Sequence, residues 1–264
     1  MSAVFTLTDS SQTIQNNNSA NPLTFSTVTF NTGASDIAMV IMTSNQNSAT
    51  TGITSITING IAATIVAPNS PTSSTCIAYV AAGAMTTAPV VITYNSTGGF
   101  TAADTILCAG KVVGATATPY DTEVFNQTTA SSFNLTCNIP ANGVGIFAGG
   151  DYFYPGPTPS WTGSTNDPGG DYFGGSSGGN GCSLATCHSI TVGSPTTLTL
   201  AYGSNQVAAQ VAVSFGPAAS GTLSIGGQSV IFMRDWPARL FKPVRKLLKA
   251  RRPRLILPEP SFVM

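Results

Sequence analysis

The first 233 residues of this 264-residue chain hold one basic side chain, Lys111, and eight acidic ones, Asp9, Asp36, Asp104, Asp121, Glu123, Asp151, Asp167 and Asp171, a balance of −7. Histidine occurs once, at His188, and glutamate twice, at Glu123 and Glu259. So little acid–base equipment works against enzymatic classes such as the glycosidases, which need a paired acid and base. Charged residues make up only 8% of the chain, which suits a protein built into an assembly better than a soluble cytosolic enzyme. No apolar run reaches the length of a membrane span, and the amino terminus has neither the basic nor the apolar region of a secretory signal. The cysteines (Cys76, Cys108, Cys137, Cys182, Cys187) are odd in number and mostly sit in strand-like runs, so a complete disulfide framework is not expected.

What the body lacks is concentrated at the carboxyl end. The other nine basic residues all lie between Arg234 and Arg254, beside only Asp235 and Glu259, so the last 31 residues carry +7. Such opposition within one chain marks a body with an arm that touches something else. Trp236, Leu240, Phe241, Val244, Leu247 and Leu248 recur at helical spacing, with Arg239, Lys242, Arg245, Lys246 and Lys249 largely between them. Asp235 and Pro237 read as a helix start, and Pro243 as a kink. Beyond Ala250, after Arg251 and Arg252, three prolines favour an extended run carrying Leu255, Ile256, Leu257, Phe262 and Val263.

A basic amphipathic arm has three readings: lying on an anionic membrane, binding nucleic acid through phosphates, or docking into a groove on an acidic protein. Docking fits best, because the extended apolar pieces suit protein grooves and the prolines spoil a long membrane helix. Its contact residues would be Arg234, Trp236, Arg239, Leu240, Phe241, Arg245, Leu247, Leu248, Arg251, Arg252, Leu255 and Leu257. The bland alternative, a solvated tail, leaves the apolar stripe without a purpose.

Residues 1–217 read as strands throughout. An edge strand covers 3–8 and an Asn-rich turn 15–19; Leu23 and Phe25 alternate, then Val28 and Phe30 resume out of phase, which predicts a bulge near Ser26. Asp36–Thr43 reads as a buried strand. Ile56 and Ile58 lead into Asn59-Gly60, and Ala62, Thr64 and Val66 lead out, as in a two-residue hairpin. Further strands are predicted at 73–82, 88–95, 104–113, 121–127, 131–139, 142–153, 196–203 and 206–216. With no helix before residue 235, the pattern predicts an all-β, two-sheet antiparallel sandwich, jelly-roll-like, over 1–217. A linker at 218–230 and the arm at 231–264 complete the chain.

Three motifs resemble catalytic or binding sites by letter. Gly174-Gly-Ser176-Ser-Gly178 matches a hydrolase elbow, but it lies in a glycine run with no helix after it, and a flexible loop explains it. Cys182-x4-Cys187-His188 offers zinc ligands but falls short of four; a strand with two small thiols, or a local disulfide, accounts for it. Neither a metal nor a cofactor is expected, calcium at Asp151, Asp167 and Asp171 included, since no loop spacing supports it. Tyr152, Phe153, Trp161 and Tyr172 lie on or beside Gly-rich connections next to acids and would stack on host glycans if exposed. The plainer reading has those rings closing the end of the sandwich.

The order Ile56-Thr-Ile-Asn-Gly-Ile-Ala-Ala-Thr, Cys76-Ile-Ala-Tyr-Val, Pro89-Val-Val-Ile-Thr-Tyr, Cys108-Ala-Gly-Lys-Val-Val-Gly-Ala-Thr-Ala-Thr-Pro-Tyr-Asp and Ser160-Trp-Thr-Gly-Ser-Thr resembles the β-sandwich domains of tailed-bacteriophage virion proteins, over roughly residues 20–216. The resemblance implies a structural, non-enzymatic role in a virion as a homo-oligomer, a trimer among the options. It does not extend to the arm. The expectation is therefore a sandwich displayed outward and an arm fastened to a capsid or tail protein. The alternatives are a glycan-binding adhesin module and a shell protein whose arm binds nucleic acid.

Overall fold

Alternating apolar residues make β2 (Leu23–Thr32) bury Leu23, Phe25, Val28 and Phe30 on one face while Thr24, Ser26 and Asn31 face out. The phase change falls where expected, as a register shift between Phe25 and Val28 against β8 (Met85–Tyr94). The computed structural model describes residues 2–15, 21–46, 52–67, 73–94, 102–151, 158–168, 170–175, 182–191, 194–219, 222–225 and 228–231. Among the described residues there are antiparallel sheets and no helix.

The other strands of the first half are β1 (Val4–Gln15), β3 (Ile37–Gln46), β4 (Ile53–Ile58), β5 (Ile61–Ala62), β6 (Thr64–Val66), β7 (Ser73–Val80) and β9 (Ala102–Val113). Their pairing is nested: β1 with β9, β2 with β8, β3 with β7, β4 with β5. The nine strands thus form one long antiparallel ribbon whose tip is the turn Asn59-Gly60. The ribbon is rolled so that its successive pairs alternate between two sheets, ordered β1-β9-β3-β7-β6 and β2-β8-β4-β5. At the tip Asn59 (φ 54°) and Gly60 (φ 75°) are both left-handed, which a two-residue hairpin turn with strand-matching twist requires.

The predicted return strand of that hairpin needs correction. Its ladder ends at Ala62; Thr64–Val66 crosses over and pairs with β7 in the other sheet, where Val66 is buried. The crossing lets Ile58 and Val66 enter different cores, which one flat hairpin could not do.

The second half builds a third sheet from β10 (Asp121–Ile139), β11 (Gly143–Asp151), β13 (Asp171–Gly175), β14 (Cys182–Thr191) and β15 (Ser194–Phe215), with β12 (Ser160–Thr162) on β15. The separate strands expected at 121–127 and 131–139, and at 196–203 and 206–216, are two long strands paired with each other. Their register shifts at Phe125/Thr128 and Ala130/Ser132, where the ribbon folds over. The folded-back part covers its own sheet: Phe133, Leu135, Leu198 and Leu200 pack with Phe147, Ala185 and Ala212.

The body therefore stacks three sheets where two were expected, and the reason is legible in β3. Ile37, Met39 and Ile41 pack toward Val144, Ile146, Val211 and Phe215 of the third sheet, while Ala38, Val40 and Met42 pack toward Phe25, Phe30, Ile56 and Ile92 of the second. A strand apolar on both faces needs cover on both. Each large side chain so buried contributes about 1.5–3 kcal/mol relative to exposure.

The body forms one compact unit, Met1–Ala218, and Ala219–Met264 another. In the second, β16 (Thr222–Ile225) and β17 (Gln228–Ile231) pair as a hairpin within the stretch read as a linker.

The strand registers give the body two distinct ends. At one, Val4 lies beside Val113, Thr32 beside Met85, Gly143 beside Thr191 and Val144 beside Phe215. The chain leaves the body here, with the Ala218 amide donating to the Gly114 carbonyl at 2.7 Å, so this is the exit end. At the far end Gln15 lies beside Asp104, Asn45 beside Ser73, Ile53 beside Tyr94, Asp151 beside Ser183 and Gly175 beside Cys182.

Candidate interaction faces

Tight turns and short connections gather at the exit end. The Ala3 amide donates to the Asn142 carbonyl (2.8 Å), the Thr116 amide to the Gly216 carbonyl (3.0 Å), and Ala115 bridges to Pro217. Lys111, the body's one cation, donates from Nζ to the Asn31 carbonyl at 2.6 Å. Asp36 Oδ2 accepts from the Gly33 amide at 2.8 Å. The last strand thus ends firmly tied, and Tyr120 stands 62% exposed beside it, its amide donating to the Ser214 carbonyl.

The far end carries the longer connections. Six of them, 16–20, 47–51, 68–72, 95–101, 152–157 and 176–181, join strand ends there. They lie outside the described residues, but their sequences read Asn-Asn-Asn-Ser-Ala, Asn-Ser-Ala-Thr-Thr, Pro-Asn-Ser-Pro-Thr, Asn-Ser-Thr-Gly-Gly-Phe-Thr, Tyr-Phe-Tyr-Pro-Gly-Pro and Ser-Ser-Gly-Gly-Asn-Gly. None contains a charged residue, a histidine, Leu, Ile, Val or Met. Beneath them the ends of the first sheet are closed by hydroxyls: Thr43 with Thr75 (3.2 Å), and Ser44 with Thr105 (2.9 Å) and Tyr94 (3.4 Å).

The residues singled out from sequence fare unequally. Arg234 and every other arm residue named above lie outside the described residues, as do Tyr152 and Phe153. Trp161, expected among exposed rings that stack on sugar, is 2% exposed and packs edge-on against Phe147 with ring centroids 6.3 Å apart. Its neighbour across the ladder is Leu200, so it closes the third core and cannot stack on a ligand. Tyr172 is half-buried against the same core. In this respect the plainer reading of the rings fits better.

Cys187 and His188 occupy adjacent positions of β14 and so take opposite faces. Cys187 enters the third core as a free thiol, while the His188 ring meets Phe5 at 5.7 Å. One ion could not take both as ligands, and no group of three or more metal-ligating side chains occurs among the described residues. The His188 imidazole instead meets Asp167 at 3.1 Å (Nδ1 to Oδ2), and its backbone amide donates to the same carboxylate oxygen at 3.3 Å. Ser164 donates to the His188 carbonyl at 2.7 Å, which pins the loop from Gly163 to Asp167 over β14 and leaves that hydroxyl committed to backbone. Ser176 of the hydrolase-like pattern lies outside the described residues, and Gly174 ends a strand, not a helix-bound elbow.

Burial raises Cys137 and Cys187 to about 12, and it pushes Cys76 and Cys108 up as well. The carboxyl of Asp171 is held above its ordinary value by partial burial and then by the charge of Asp167, with His188 opposing. No known protein family, curated protein or solved structure matches this chain.

Sequence reasoning did not find the gathering of six uncharged connections. The signal was present as Asn-, Ser- and Gly-rich punctuation between strands, but its meaning rests on which strand ends lie together.

Proposed function

We propose that this chain is a non-enzymatic structural protein of a tailed-phage virion, with its β body displayed outward and its carboxyl-terminal arm docked to a capsid or tail protein. The nested pairing of the first nine strands is that of a jelly roll, an architecture that suits shells and their appendages. The observation that carries the reading is polarity. The chain leaves the body at Ala218, at the end opposite the long connections, and beyond that point lie nine of the ten basic residues.

A body moored at its exit end would hold the far end away from the particle. Burial of Trp236, Leu240, Phe241, Leu247 and Leu248 would supply about 1.5–3 kcal/mol each, and the cations would steer approach to an acidic partner. Homo-oligomerisation, as a trimer for example, would multiply those contacts.

The test is truncation after Ile231. The shortened protein keeps its β-sheet circular dichroism and its melting transition but is absent from purified particles. Full occupancy of particles by the truncated chain would end the anchoring reading. Retention in particles that depends on packaged genome and weakens steeply with salt would assign the arm to nucleic acid instead.

A further inference from the structure

We infer that the far end of the body is a recognition face for neutral glycans. The first support is topological. Gln15, Gln46, Ser73, Tyr94, Ala102, Asp151, Gly175 and Cys182 are strand termini at the same end, so six separate connections gather there from all three sheets. Loops carried on a rigid sandwich are where such folds place recognition, because strands fix the loop bases while loop sequence varies freely.

The second support is the chemistry those connections share. They offer amides, hydroxyls and aromatic rings, with Asn95, Phe100, Tyr152, Phe153, Tyr154 and Asn180 the most prominent, and no charge or aliphatic side chain. An anionic partner, whether nucleic acid, phosphate or sulfated sugar, would need cations that are absent here and would meet a body at −7. A lipid surface or an apolar protein groove would call for aliphatic anchors, which are equally absent. A neutral sugar presents hydroxyls at its edges and C–H groups on its faces. Amide and hydroxyl groups satisfy the former with donors and acceptors, and aromatic rings cover the latter. Tyr, Ser, Gly and Asn are also the residues that antibody loops use for adaptable polar contact around rigid aromatic anchors.

This face replaces the earlier set of rings. Trp161 belongs to the core, and the aromatic residues that remain for contact stand on connections that the strand termini bring together. The inference extends the display reading, since a body moored at the exit end would present this face outward, but it does not depend on the arm.

The experiment is a glycan array probed with the full-length chain, including neutral, sialylated and sulfated sugars, followed by calorimetric titration of the best neutral oligosaccharide. Binding to one or more neutral glycans is expected. The triple variant Phe100→Ala, Tyr152→Ala, Tyr154→Ala should lower affinity about tenfold or more. Tyr120→Ala, which removes an exposed ring at the exit end, should leave affinity unchanged. Each variant is accepted only if its melting temperature matches the parent. Silence on the array, binding of charged sugars alone, full affinity in the triple variant, or equal loss with Tyr120→Ala would each overturn the inference. Truncation after Ile231 separates the two proposals: it should abolish particle attachment and leave glycan binding intact.

Discussion

The carboxylate of Asp121 accepts hydrogen bonds from the backbone amide of Asn138 at 2.7 Å and from its side-chain amide at 2.8 Å, although both residues belong to β10, 17 positions apart. In a straight strand they would stand about 55 Å apart. The contact exists because the ribbon of β10 and β15 folds over at the far end and returns, so that the start and the finish of one strand meet at the exit end.

Asp121→Ala should therefore loosen the fold-over. Two charge-assisted bonds at an exposed position are lost, and the expected cost is about 1 kcal/mol. Urea denaturation should show a lower midpoint with an unchanged slope, whereas an unchanged midpoint would mean the clasp holds nothing.

Gly149 and Gly150 sit back to back on β11. A methyl group on Gly149 would strike the Leu200 side chain in the third core, and one on Gly150 would strike Thr43 and Thr75 of the first sheet. Either alanine substitution should destabilise by about 1–3 kcal/mol through overpacking. Gly52, with nothing within 4 Å of such a methyl, should accept alanine with little change in melting temperature.

The thiols provide a pH prediction. Burial raises Cys137 and Cys187 to about 12 from 9.0, so the unfolded chain loses these protons first as pH rises. Their contribution is fully present below pH 9 and is lost between pH 9 and 12, at up to about 1.4 kcal/mol per pH unit for each thiol. Stability measured across that window should fall, and a flat profile would contradict the burial. At pH 8 only about one in ten thousand of these groups is ionised, so alkylation of the native protein should spare them.

Asp171 is raised from 3.8 by partial burial and by Asp167. The stability it contributes is present below 3.8 and lost as pH rises through the folded value, so the ionised side chain is a liability at pH 7. Asp171→Asn should stabilise slightly at pH 7, by a few tenths of a kcal/mol because the site is exposed to screening, and the gain should vanish near pH 3. Equal melting shifts at both pH values would dismiss the charge as the cause.

Much of the strand content was legible. The phase change between Phe25 and Val28 marks a real register shift, and Asn59-Gly60 marks a real turn, because bulges and two-residue hairpins are local events with local residue demands. β14 escaped detection since Ser183, Thr186 and Ser189 are buried along with Leu184, Ala185 and Cys187, which erases the alternation of polar and apolar positions. Trp161 was misjudged as an available ring for a related reason. Its glycine-rich surroundings look exposed in one dimension, while the sheet that covers it comes from residues 133–139 and 194–202.

By itself the sequence determined that this chain forms strands, that its carboxylates and cations are segregated into body and tail, and which side chains on each strand face inward. These follow from period-two patterning and from composition, both readable within a few residues. Only the tertiary structure decided that a third sheet covers the second face of β3, that β10 returns upon itself, and that six uncharged connections share the end opposite the exit at Ala218. Pairing between strands distant in sequence sets those relationships, and a local pattern reports which face a residue takes without reporting what lies against it.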